Sequence, residues 1–199
     1  MTPASISLLT ICGLEELESH RSRGVSHVLS ITDPGWPEPH AFEAYDRHHR
    51  TKLEFHDVIE PFSNHVLPQP EHVEAILAFG ESLADAQEEG REGHLLVHCH
   101  MGVSRSTAAM AAILAQANPD ADAERVVRHI EEIRPQVWPN SRMIGFADRM
   151  LGRDGELTEA VRRLYGRRLL ASPATGDFMR QNGRGREVEM AIAPKGEER

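Results

Sequence analysis

The chain has 199 residues, 40% hydrophobic and 27% charged, which suits one folded domain with a single core and excludes wholesale disorder. Its formal net charge is −9, unevenly spread: residues 1–150 hold 12 basic against 23 acidic side chains, and residues 151–199 hold 10 against 8. An acidic body repels nucleic-acid backbones and anionic lipid headgroups, so neither nucleic acid nor membrane is an expected partner. No apolar run approaches the roughly 20 residues needed to cross a bilayer. The opening MTPASISLL lacks the basic and long apolar regions of a secretory signal. With only Cys12 and Cys99, a disulfide framework is not expected, and a reducing, cytoplasmic setting fits.

In chain order, Ile6–Cys12 reads as a strand and Leu14–Arg23 as a short helix closed by Gly24. Val25–Ile31, rich in β-branched residues, reads as a second strand. Three prolines and a glycine force a loop over Asp33–Pro39. A helix is expected near His40–His49 and a brief third strand at Lys52–Phe55, followed by a loop to Pro70. Pro70–Glu89 has helical apolar spacing and Gly90–Gly93 breaks it. His94–His98 is a continuous apolar strand of the kind found inside a parallel sheet. Helices are expected over Ser104–Gln116, Asp122–Ile133, Ser141–Leu151 and Glu156–Leu170. The alternation implies an α/β domain over residues 1–170, with a mostly parallel central sheet of four to five strands flanked by helices. Residues 171–199 are polar, Gly/Arg-rich and aperiodic, and read as a mobile tail. Trp36 and Trp138 either line the site rim or pack, packing being preferred, and Arg162, Arg163, Arg167 and Arg168 are expected to form a solvated helix face.

The chemistry concentrates in VHCHMGVSRST, Val97–Thr107. A buried strand delivers Cys99 to its carboxyl end, the edge where ligands bind in such sheets. Arg105 follows in the first turn of a helix. The chain between them must wrap into a cup, and Gly102 permits the close approach this requires. Amides of such a nest, backed by a helix N-terminus, bind a tetrahedral oxyanion and favour thiolate over thiol, fitting Cys99 for nucleophilic attack. Arg105 offers a planar fork to two phosphate oxygens. Ser106 places a hydroxyl near the sulfur. A metal site at His98, Cys99 and His100 is not expected, because adjacent residues converge poorly on one ion.

His98 through Ser106 matches HCxxGxxR[ST] and resembles the phosphate loop of the protein tyrosine phosphatase superfamily, in the form seen in its dual-specificity branch. Gly24–Thr32, and Arg134-Pro135 with Pro139-Asn140 and Phe146, resemble flanking segments of that branch, so the likeness spans roughly residues 5–151. It implies the cysteine-phosphatase fold and hydrolysis of phosphotyrosine, with phosphoserine or phosphothreonine as further substrates. It implies a phosphocysteine intermediate and no cofactor. His100, Met101, Gly102, Val103, Ser104 and Arg105 are then the substrate-binding loop, and His98 supports it. Asn140 either braces the loop or simply caps a helix. The general acid is expected on a loop after a strand: Asp57 is preferred, with Asp33 and Glu60 as alternatives. The expected partner is a phosphorylated protein or a small phosphomonoester. Loop positions 100, 101, 103 and 104 carry no lysine or arginine, which disfavours phosphoinositides. Competing functions are a phosphatase of a metabolite or RNA 5′ end, and a phosphate-binding adaptor without turnover.

Overall fold

The computed structural model describes residues 6–85 and 93–194. Four strands, β1 (Ile6–Cys12), β2 (His27–Thr32), β3 (His49–Glu54) and β4 (Gly93–His98), form one sheet in the order β1-β4-β2-β3, every neighbouring pair parallel. β4 therefore has a partner on each side and all six of its residues are buried. Its side chains alternate between faces as a strand requires. Leu95 and Val97 join the main core with Leu29 and Ile31 of β2, while Leu96 and Val28 join a smaller cluster with Cys12 and Leu17.

The main face is covered by helices α1 (Pro70–Asp85), α2 (Arg105–Ala117), α3 (Ala123–Ile133), α4 (Ser141–Met150) and α5 (Glu156–Ala171). Among the described residues, the other face is covered by two 3₁₀ turns, Leu14–His20 and His40–Ala44. Both turns fall where the sequence suggests full helices; each is a single short apolar flap over a small cluster, too little surface to stabilise a longer helix. The expected helix residues 86–89 and the break at 90–92 lie outside the described residues. α2 is central, and its alanines, buried from Ala108 to Ala115 with Met110, Ile113 and Leu114, let it lie close to the sheet. Its last turn is closed by Arg153, whose guanidinium donates to the carbonyls of Ala115, Asn118 and Ala121 at 2.7–2.8 Å, satisfying acceptors a helix end leaves open. Among the described residues no helix is long and apolar enough to cross a membrane.

The expectation of an unstructured tail after residue 170 is corrected. Helices α6 (Ala174–Gln181) and α7 (Gly185–Glu189) fold back onto α5, and the chain at residues 190–192 lies along it. Ile192 N donates to Arg162 O at 2.9 Å, and Arg162 Nε donates to Met190 O at 2.8 Å. Gly166 makes this possible, since a Cβ there would sit 1.8 Å from the Ile192 carbonyl oxygen. Met179 and Val188 join the main core. The arginines of α5 also differ from a solvated face: Arg167 pairs with Glu124 and Glu131 of α3 at 2.7 and 2.6 Å.

Candidate active site

Cys99 follows β4 directly and is buried, with its Sγ 3.2 Å from Ser106 Oγ. The loop after it is held from outside by its carbonyls. Leu14 N donates to His100 O at 3.0 Å, Arg134 Nη2 to Met101 O at 3.0 Å, Trp138 N to Val103 O at 2.9 Å and Ala108 N to Ser104 O at 3.0 Å. In a planar trans peptide the next N–H points opposite to the carbonyl. The amides of Met101, Gly102, Ser104 and Arg105 therefore turn into the loop, the cup expected from the spacing.

Gly102 has φ +69°, and a Cβ there would come within 2.4 Å of the Cys12 carbonyl carbon and 2.7 Å of Gly13 N. The end of β1 thus forms the wall against which the loop turns. Gly102→Ala is expected to cost roughly 2–4 kcal/mol, from positive-φ strain and a collision with rigid backbone, read as a lower urea midpoint of unfolding. Cys12 is a buried filler beneath that wall; burial, then the charge of Glu16, pushes its thiol up to about 12.

Arg105 is held on one edge. Its Nη1 donates to Asp33 Oδ1 at 2.6 Å and to Phe55 O at 2.5 Å, using both hydrogens of that nitrogen. Its Nε is buried without a hydrogen-bond partner among the described residues, so the Nε edge is left for an incoming oxyanion. Asp33, on the Pro-Gly turn after β2, is thereby a site residue that the sequence left as a lesser alternative. Its place at the carboxyl end of a central strand is the signal that marks it.

Asp57 lines the same cavity as Cys99 and Arg105. Its Oδ1 accepts from Ser104 Oγ at 2.7 Å, Asn140 Nδ2 at 2.9 Å and Arg184 Nη1 at 2.9 Å. Burial alone raises its carboxyl, but the Arg184 and Arg105 charges and the bonds from Asn140 and Ser104 outweigh that, holding it below the ordinary carboxylate range. Asn140 takes the capping role, and its side chain reaches Asp57 rather than the phosphate loop, which it meets through its backbone N on Ser104 O at 3.4 Å. Its Oδ1 caps α4 through Arg142 N and Met143 N at 3.1 and 3.2 Å, while its Nδ2 holds Asp57. Glu60 sits farther out, paired with Arg186 at 3.1 Å.

His98 is fully buried, with Nε2 2.6 Å from Ser30 Oγ, which also accepts from Arg50 Nε at 2.8 Å. Burial, then the Arg50 charge, pushes its ring down to about 3, so it is a neutral strut between β4 and β2. His100 and Met101 line the cavity with Val103 and Ser104. Trp36 does not pack inside but stands at the rim against the His100 ring, centroids 4.3 Å apart. Trp138 does pack, stacked on Tyr165 at 4.4 Å. The cavity has a volume of about 770 Å³, and its outer wall is made by His56–Val58, Glu60–Phe62, His65 and Phe178–Arg184. That last stretch was missed entirely by the sequence reading.

A parallel sheet that delivers a buried cysteine to an amide-lined loop, with an arginine at the start of the next helix, defines a cysteine-phosphatase α/β fold. The protein-tyrosine phosphatase profile matches residues 61–151. Human protein phosphatase Slingshot homolog 3 is 32% identical over 129 residues, 64% of this chain and only 16% of that much longer protein. Among solved structures, human DUSP28 superposes with a TM-score of 0.54 at 16% identity, covering 73% of this chain and 94% of that one. DUSP15 does so with a TM-score of 0.54 at 18% identity, covering 79% and 92%. Over residues 61–151 the chain is thus similar to protein-tyrosine phosphatases, and its fold is similar to that of dual-specificity members.

Proposed function

We propose that the protein hydrolyses phosphotyrosine through a phosphocysteine intermediate. The observation that carries this reading is that Cys99, Arg105 and a clamped carboxyl, Asp57, all line one cavity. In the first step Cys99 Sγ attacks phosphorus and the bond to the leaving oxygen breaks, Asp57 giving that oxygen its proton. In the second, water attacks the phosphocysteine, Asp57 takes its proton, and Ser106, 3.2 Å from the sulfur, stabilises the departing thiolate. The loop amides and the Nε edge of Arg105 hold the equatorial oxygens throughout.

The resting Asp57 is held ionised, which a proton donor must overcome. Substrate supplies the correction: a phosphate dianion neutralises Arg105 and adds negative charge beside Asp57, and both effects raise its carboxyl. The aromatic and apolar rim of Phe62, Met101 and Phe178, all exposed, supports an aryl phosphate over a small alkyl one. The ionised Asp57 also favours a second reading, a phosphopeptide-binding adaptor without turnover. A radiolabelled phosphotyrosyl peptide separates the two. Turnover requires release of phosphate, a labelled protein on rapid acid quench, and block by vanadate. Binding without release or labelling establishes the adaptor.

A further inference from the structure

Arg184 and Glu187 belong to the C-terminal strap, yet they are only 3% and 0% exposed. Burying charge in a protein interior is costly unless each group is paired. Here Arg184 Nε and Nη2 each donate to Glu187, at 2.8 and 2.7 Å. Glu187 is fixed in turn by Trp138 Nε1 at 2.6 Å and Ser141 N at 2.8 Å. That pair satisfies itself, so the rest of the guanidinium is available for another task. Nη1 reaches Asp57 Oδ1 at 2.9 Å and Ser104 Oγ at 3.0 Å. Among the described residues, every hydrogen bond to the Asp57 side chain falls on Oδ1, leaving Oδ2 as the oxygen to carry a proton.

We propose that Arg184 is a positioning residue for the general acid, clamping Oδ1 of Asp57 from a rigid Glu187–Trp138 anchor and so making the C-terminal strap part of the catalytic unit. The inference rests on the assignment of Asp57 as acid in the proposed phosphatase reaction. The charged and titratable groups facing Asp57 come from several elements. Arg184 stands before α7, Arg105 at the start of α2 and His100 in the phosphate loop, while Tyr165 on α5 and Glu187 lie behind. Of these, Arg184 makes the direct ion pair. Its charge favours the carboxylate, so its removal lets Asp57 stay protonated to higher pH.

Two variants test this. Arg184→Lys keeps a charge but loses the fork. Arg184→Gln/Glu187→Gln removes both buried charges together, which avoids stranding Glu187. For a phosphotyrosyl peptide, kcat is expected to fall roughly 10–100-fold in each, the cost of a misplaced donor. The kcat/KM for an aryl phosphate with a strongly acidic leaving group, which reports a first step that needs no proton, stays within about threefold. The descending alkaline limb of kcat/KM, which reports the free enzyme's acid, moves to higher pH in the double-glutamine variant. The Asp57 carboxyl, followed by NMR with ¹³C-labelled aspartate, titrates higher as well. An unmoved limb together with an unmoved carboxyl titration overturns the proposal. If the wild type releases no phosphate from any substrate, the phosphatase reading fails on its own, while the carboxyl titration still decides whether Arg184 governs Asp57.

Discussion

Cys99→Ser is expected to lower hydrolysis of para-nitrophenyl phosphate by about 10⁴-fold or more, the scale of losing a nucleophile, while leaving the protein folded and able to hold phosphate. The swap removes little volume, and Ser106 Oγ at 3.2 Å from the sulfur remains as a hydrogen-bond partner for the new hydroxyl, so the buried polar atom is not stranded. A serine hydroxyl needs an adjacent base to attack at neutral pH. Of the two histidines adjacent to it in sequence, His98 is bonded to Ser30 Oγ on β2 and His100 Nε2 accepts from Asp33 N at 3.2 Å, so both are engaged elsewhere. The anion site is untouched, since it is built from loop amides and Arg105. Steady-state kinetics and calorimetric titration with vanadate check the two halves separately. Residual turnover within tenfold of wild type assigns the chemistry to another group, whereas lost vanadate binding means the loop itself has collapsed.

The separation of nucleophile from anion site also explains what the sequence disclosed. A loop that wraps an oxyanion tolerates few solutions, so Cys99, Gly102 and Arg105 are legible from spacing alone. Gly102 lies 2.4 Å, in Cβ terms, from the backbone of β1. The strands and main helices are legible for a similar reason, because β4 is buried throughout and α2 is buried on nearly every side. The C-terminal strap is different. Its fixed points are Arg184 and Glu187, two charged residues whose burial makes sense only beside Trp138, Tyr165 and Asp57, all distant in sequence. Composition counts such residues as solvent-facing. The apolar residues that dock the strap, Met179, Val188 and Met190, are too sparse for a period to stand out. Asp33 has proline-rich neighbours, and the rigidity of that turn is what places a carboxylate 2.6 Å from Arg105.

That geometry gives two carboxylates beside one arginine, and their roles are separable. Asp57→Asn keeps an acceptor for Ser104 and Arg184 but has no acidic proton. It is expected to reduce kcat on phosphotyrosyl peptides by about 10²–10⁴-fold, the range for a lost general acid, and to abolish the alkaline limb of kcat/KM. With an aryl phosphate whose leaving group is strongly acidic, the deficit in kcat/KM, which reports the first step, shrinks to a few-fold, because that oxygen departs unprotonated, while kcat stays low because Asp57 is also the base for water attack. Asp33→Asn acts on Arg105 instead. It keeps an amide oxygen to accept from Nη1, beside Phe55 O at 2.5 Å, but removes the charge that strengthens that bond, so the fork is held less firmly. The expected result is a KM raised about tenfold, near the value of one charge-assisted hydrogen bond, with the alkaline limb unmoved. The pH profiles of the two variants, measured on both leaving groups, decide the matter. A limb lost in Asp33→Asn and retained in Asp57→Asn transfers the acid to the Pro-Gly turn, and Arg184 then clamps a carboxylate that donates no proton.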